Sequence, residues 1–160
     1  MHRSIVLAVV FVAACATPVP PPPAPQARPA VPVTASFAKT WQSAVDVFAD
    51  KNVGIRTIDR SSGLIVADPV SVPFNVRELS KPGGLADCGR DMLAHYVPPS
   101  LAVYNVRVRG DSTSSSVLVT VRWTTTLSNA ANKEVVCAST GAWEENFEKA
   151  VKDKAEGRGP

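Results

Sequence analysis

Apolar and polar positions alternate with two different periods along this chain. Phe37, Trp41, Ala44, Val45 and Phe48 recur at i, i+4, i+7, i+8 and i+11, which predicts an amphipathic helix from about Ser36 to Lys51. Thr34 or Ser36 suits the start of this helix, and Asn52 suits the left-handed residue just past its end. Trp143, Phe147, Ala150 and Val151 repeat the stripe, predicting a second helix opened by Thr140-Gly141, running to about Ala155 and ended by Gly157. Glu144 and Glu145 fall in its first turn and Lys152 and Lys154 in its last, where both charges complement the helix dipole. The aromatics of both stripes read as core, because their spacing already suits burial against a sheet.

Between the helices the period changes to two. Val53 to Ile58 and Leu64 to Ala67 form a predicted hairpin around Asp59-Arg60-Ser61-Ser62-Gly63. Asp59 reads as a turn residue that accepts backbone hydrogen bonds, not as a catalytic carboxylate. Ala102, Tyr104, Val106 and Val108 alternate with Val103, Asn105, Arg107 and Arg109, and Gly110 to Ser114 then turns the chain. Val117, Val119, Val121 and Trp123 alternate with Leu118, Thr120, Arg122 and Thr124. An apolar face and a wet face are the mark of an antiparallel sheet covered on one side. Arg107, Arg109 and Arg122 share the wet face, which reads as a solvated surface, with an anion-binding patch as the alternative.

Residues 69–99 are punctuated by proline and glycine and read as an irregular insertion. Val70 to Glu78 is a ragged strand or carries a short helix near Asn75 to Leu79. Leu127 to Glu134 reads as a loop, and Val135 to Ser139 as a last short strand. This order predicts an α+β fold: an antiparallel sheet of about four to five strands, with an N-terminal and a C-terminal helix packed on one face.

The first 34 residues differ in kind. Met1-His2-Arg3 is basic, Ser4 to Phe11 is apolar, and Val12-Ala13-Ala14-Cys15 ends the run with small residues and a cysteine. This is the layout of a secretory signal peptide over residues 1–14, with an apolar run too short to span a bilayer. Val-Ala-Ala-Cys resembles a bacterial lipobox, which implies lipid attached to Cys15 and a membrane-anchored mature chain. An ordinary signal with an incidental cysteine is the alternative. Residues 15–34 then read as the lipidated cysteine and a proline-rich, polyproline-II-like tether, leaving residues 35–157 as the folded domain. Ala16 follows the cysteine where aspartate favours inner-membrane retention, so by analogy the expected address is the periplasmic face of the outer membrane.

Composition narrows the function classes. The chain carries a net charge of +3 without a block of one sign, and no aromatics interleave with the sheet arginines. No nucleic-acid partner is therefore expected. With Cys15 acylated, Cys88 and Cys137 remain as an even pair, expected to be a disulfide in an oxidising compartment. Two free thiols are one alternative. A nucleophilic Cys88 beside His95, with Asp87 or Asp91, is another, but nothing specifies a third group. His95 is the only histidine after the signal, too few for a zinc site, and Pro82-Gly83-Gly84 does not sit in a phosphate-binding context. The reading is a non-enzyme with no catalytic residue, cofactor, metal or small-molecule substrate.

Trp41-Gln42-Ser43-Ala44-Val45, the hairpin Ile58-Asp59-Arg60-Ser61-Ser62-Gly63-Leu64-Ile65 and Ser139-Thr140-Gly141 lie downstream of the lipobox and tether. Together they resemble the helix-grip domain of BamC-like (NlpB-type) outer-membrane lipoproteins, as a small single-domain relative. The resemblance implies a helix-grip-like fold and a non-enzymatic accessory or scaffolding role in envelope assembly, β-barrel assembly included, through protein contacts. A small-ligand-binding lipoprotein, with a cavity between sheet and helix, is the alternative.

Overall fold

A computed structural model describes residues 27–72, 84–88, 96–127 and 133–158. In chain order these form β1 (Val31–Val33), α1 (Phe37–Asp50), β2 (Ile55–Asp59), β3 (Leu64–Ala67), β4 (Val70–Val72), β5 (Ala86–Asp87), β6 (Tyr96–Gly110), β7 (Ser115–Leu127), β8 (Lys133–Ser139) and α2 (Ala142–Ala155).

The two long alternating runs make the centre of the sheet. β6 and β7 pair antiparallel, in continuous register from Leu101↔Thr124 to Gly110↔Ser115. Ala102, Tyr104, Val106 and Val108 of β6 and Val117, Val119 and Trp123 of β7 are buried on one face. The register starts at the turn. Asp111 Oδ1 accepts from Thr113 N at 2.7 Å and Ser114 N at 2.9 Å, and Gly110 has a positive φ of 151°. A Cβ on Gly110 would meet Ser114 O at 2.3 Å, so the close backbone approach requires glycine.

Around this ribbon the strand order is β2-β3-β6-β7-β8-β5, every pair antiparallel. β4 lies beside β6 further along the edge that β3 begins, and β1 shares the far edge of β7 with β8. The sheet therefore has eight strands, not the four to five of the expected helix-grip-like arrangement. The additions are β1, β4 and β5, two or three residues each. β4 falls at the start of the ragged strand expected as one alternative for Val70 to Glu78; β1 and β5 are too short to show a period and are strands because the longer strands leave edges for them to pair with.

β1 also moves the boundary of the folded unit. Its residues lie in the stretch expected to be tether, yet Val31, Pro32 and Val33 pair with Val117, Ser116 and Ser115. An edge position tolerates Pro32, which has no N–H to donate. Thr34 N donates to Glu156 Oε1 at 2.8 Å and Lys152 Nζ to Pro32 O at 2.7 Å, fastening the strand to the end of α2.

Both helices flank the sheet and close its apolar face. Ser36 caps α1 by accepting from Lys39 N at 3.3 Å. Asn52, at φ 52°, ends it, with Asn52 N donating to Ala49 O and Val53 N to Phe48 O, a Schellman pairing. Gly157 N to Lys154 O and Arg158 N to Asp153 O repeat that pairing after α2. Phe48 meets Phe147 edge to face at 5.0 Å, and Tyr104 stacks on Trp143 at 5.5 Å. Trp123, Tyr104, Phe48 and Phe147 are almost wholly buried and fill the space between sheet and helices. Burial of each such side chain contributes roughly 1.5–3 kcal/mol.

Of the expected irregular insertion over 69–99, Val70–Val72, Ala86–Asp87 and residues 96–99, the start of β6, are strands; the helix expected near Asn75 to Leu79 lies outside the described residues. A disulfide joins Cys88 to Cys137, tying the residue after β5 to β8.

Candidate functional site: a slot in the sheet edge

β1 covers Ser115 to Val117 of β7, and β8 covers Trp123 to Leu127. Neither reaches Leu118 to Arg122, so this edge of the central strand carries a slot. It opens because β8 leaves β7 after Cys137. Its last residues, Ala138 and Ser139, pair with Asp87 and Ala86 of β5 instead. The Cys88–Cys137 bond sits at the point where the two paths divide.

A side chain of α2 occupies the middle of the slot. Glu148 is 1% exposed, and its Oε1 accepts from Val119 N at 2.8 Å, standing where a neighbouring strand's carbonyl would stand. Its Oε2 accepts from Arg28 Nη2 at 2.9 Å, and Arg28 Nη1 reaches Oε1 at 3.5 Å. Burial pushes the Glu148 carboxyl above the usual carboxylate range; the hydrogen bond from Val119 and the Arg28 guanidinium pull the other way without overcoming it. Arg28 also lies 3.6 Å from Glu145, which is exposed.

One helical turn earlier, Glu144 is 3% exposed and its Oε2 accepts from Ser139 Oγ at 2.9 Å. The same hydroxyl oxygen accepts from Trp123 Nε1 and from Gly141 N, each at 3.3 Å. Ser139 thus uses its donor and both acceptor positions to join β7, β8 and the start of α2. Burial, with the Glu144 charge as the smaller cause, pushes the Tyr104 hydroxyl up to about 12.

The slot opens into a groove of about 910 Å³, lined among others by Arg28, Arg107, Leu118, Thr120, Ser139 and Glu144. Within it Arg28 is engaged with Glu148, and Ser139 with Glu144, and no histidine or thiol stands beside Ser139 or Glu144 among the described residues. The arrangement holds shape and presents a polar recess. Among the described residues it does not assemble a nucleophile with its base.

The residues singled out from the sequence are dispersed. Cys15, Asp91 and His95 lie outside the described residues. Asp87 is exposed on β5, next to the bonded Cys88. Asp59 closes its hairpin turn: Oδ1 accepts from Ser61 N at 2.9 Å and Ser61 Oγ at 2.6 Å, and the Ser61 and Ser62 bonds lower its carboxyl to about 2. Arg107, Arg109 and Arg122 are exposed on the face away from the helices. Among the described residues no three His, Cys, Asp or Glu side chains group as metal ligands, and no helix is long and apolar enough to cross a membrane.

Glu148 and Arg28 are the residues that sequence reasoning passed over, and Glu144 was assigned only to the helix dipole. A signal existed. Glu144 stands three residues before Phe147, and Glu148 three before Val151, so both fall inside the apolar stripe. Arg28 is the only charged residue between Ala16 and Thr34. The chain matches no protein-family model, and no curated protein matches it.

Proposed function

We propose that this protein is a lipoprotein anchored through Cys15 at the periplasmic face of the outer membrane, where it acts as a non-enzymatic accessory or scaffold in envelope assembly. The lipobox-like Val12-Ala13-Ala14-Cys15 and the resemblance to BamC-like lipoproteins suggest the address and the role. The observation that carries the reading is β1. It continues directly from the leash and is hydrogen-bonded into the central sheet beside β7. A pull on the anchor is therefore borne by the core of the domain. The leash shortens accordingly: residues 16–26 in polyproline II span at most about 34 Å, which keeps the domain close to the bilayer.

Protein contact is favoured over small-ligand binding by where the space lies. Large side chains fill the region between sheet and helices, and the groove lies at the sheet edge instead. Mass spectrometry of the N-terminal peptide after growth with labelled palmitate tests the anchor: acyl groups on Cys15 are expected. Cys15→Ser is expected to move the protein from the membrane to the soluble fraction, and an unacylated native chain defeats the proposal. Crosslinking in intact envelopes tests the role, with envelope proteins as the expected products.

A further inference from the structure

The face of the sheet turned away from the helices has a one-signed charge pattern. Cross-strand partners place Arg107 beside Leu118, Asn105 beside Thr120, Val103 beside Arg122, and Leu101 beside Thr124 and Val136. Within this central block, from Leu101 to Arg109 and from Ser116 to Thr124, the only charged side chains on that face are Arg107, Arg109 and Arg122. None of the three side chains has an ion pair or hydrogen bond among the described residues. The carboxylates on this side stand at its margins. Asp59 lies beside Leu64 and is engaged by its own turn, Asp87, beside Ala138 on the outermost strand, lines the same edge groove as Arg107, and Glu134 lies beside Thr126. Two apolar side chains complete the surface: Leu101 is 39% exposed and Val136 is 42% exposed, with Thr124 between them.

The leash joins the domain at the sheet edge that borders this face, with Arg28 turned to Glu148 of α2. Ala27, Arg28 and Pro29 line the same groove as Arg107, Leu118 and Thr120. Only residues 16–26 separate that exit from Cys15. We infer that this arginine face is a membrane-docking surface, which seats the domain on the phosphate-bearing headgroups of the leaflet that holds its own anchor. The inference rests on the proposed lipid anchor and adds an orientation to it. Arginine suits the task, because its planar fork matches phosphate oxygens and stays charged at every physiological pH. The exposed Leu101 and Val136 supply the apolar part of an interfacial contact.

The test uses the processed chain beginning at residue 15 with Cys15→Ser, so that no acyl chain contributes. Vesicles of phosphatidylcholine with about a third phosphatidylglycerol are compared with pure phosphatidylcholine by co-sedimentation. Binding to the anionic vesicles alone is expected, weakening steeply with added salt. An arginine near an anionic surface is worth about fivefold in partitioning, so R107Q/R109Q/R122Q is expected to lower binding by about 100-fold. Circular dichroism and an intact Cys88–Cys137 bond establish that the variant is folded, and Lys39→Gln, on α1, is expected to leave binding unchanged. Equal binding to both vesicle types, or unchanged binding of the triple variant, overturns the inference. So does a dimer that forms through this face without any vesicle binding. Acylation is read separately from the mass of the native N-terminal peptide. Acylated protein whose unacylated form ignores anionic vesicles removes the docking face and keeps the anchor; the opposite pair of results removes the anchor.

Discussion

The two helices are each 14 residues long and carry the same aromatic stripe, yet they meet the sheet with different chemistry. α1 buries Trp41, Ala44, Val47 and Phe48, and its buried polar residues Thr40 and Ser43 bear only neutral hydroxyls. Thr40 Oγ1 shares a 2.7 Å hydrogen bond with Ser115 Oγ, and Ser115 Oγ donates to Ala35 O at 2.8 Å. α2 buries Phe147, Val151 and Ala155 together with the carboxylates Glu144 and Glu148. A buried carboxylate is far more costly than a hydroxyl unless donors surround it. α1 packs against continuous sheet, whereas α2 crosses the sheet where a strand is missing. A helix beside an incomplete sheet can thus supply the missing acceptor from a side chain. Glu148 does so for Val119 N–H.

Four measurements set the two helices against each other. Phe48 and Phe147 face each other from the two helices, so as packing residues they are equivalent. Phe48→Ala and Phe147→Ala should each lose about 3–5 kcal/mol in denaturant unfolding. A difference of more than about 2 kcal/mol between them would break the symmetry. Glu148→Ala should come next, at about 3 kcal/mol, because it strands Val119 N–H and the Arg28 guanidinium. Glu148→Gln keeps an acceptor for Val119 and should lose less than half as much. Thr40→Ala, its counterpart in α1, should lose about 1 kcal/mol. If Thr40→Ala and Glu148→Ala prove equal, the carboxylate has no special place in the slot. The start of each helix gives a smaller effect: Ser36→Ala removes a direct cap and should lose about 1 kcal/mol. Gly141 offers α2 no side-chain cap, so there the equivalent loss, also about 1 kcal/mol, should come from Ser139→Ala.

The smallest effect is on pH dependence, and it has opposite signs at the two kinds of carboxylate. Burial raises the Glu148 pKa in the folded state, so the folded chain holds that proton more tightly than the unfolded chain. Its contribution favours folding below the usual carboxylate range and fades as pH rises through and above it. Asp59 is lowered to about 2, and Asp111 is lowered as well, chiefly by hydrogen bonds within their own turns. Their contributions are present above the usual aspartate range and fade as pH falls below it. Urea midpoints measured against pH should fall between about 4 and 2 in the wild type, less so in Asp59→Ala. Above that range Glu148→Gln should lose part of the wild-type decline. An unchanged slope in Glu148→Gln would mean that its carboxyl is not raised.

Much of the fold was legible because it is written locally. A helical stripe is visible within a dozen residues, and the same residues that show it set the buried face of α1 and α2. The alternation in β6 and β7 named the buried face of the central ribbon in the same way. Turn chemistry was legible too: Asp59 and Gly63 close the first hairpin, Gly63 at φ 68°. The candidate site was scarcely legible. Arg28 read as one charge in a proline-rich leash, while its carboxylate partner lies 120 residues away in α2.

Local pattern was enough for the two helices, the two hairpins and the buried faces of α1, α2, β6 and β7, since periodicity and turn residues act over a few neighbours. Long-range pairing made strands of Val31–Val33 and Ala86–Asp87, chose the strand for Val70–Val72, and took β8 off β7 early enough to open a slot. It likewise decided that Glu148, like its neighbours Glu144 and Glu145 a glutamate on α2, is buried where it hydrogen-bonds a strand. The physical reason is that a backbone amide's partner at a sheet edge depends on what else the chain brings there. That is a long-range fact: the stripe around Glu148 marks it as facing inward, and the neighbouring residues do not say which amide it meets.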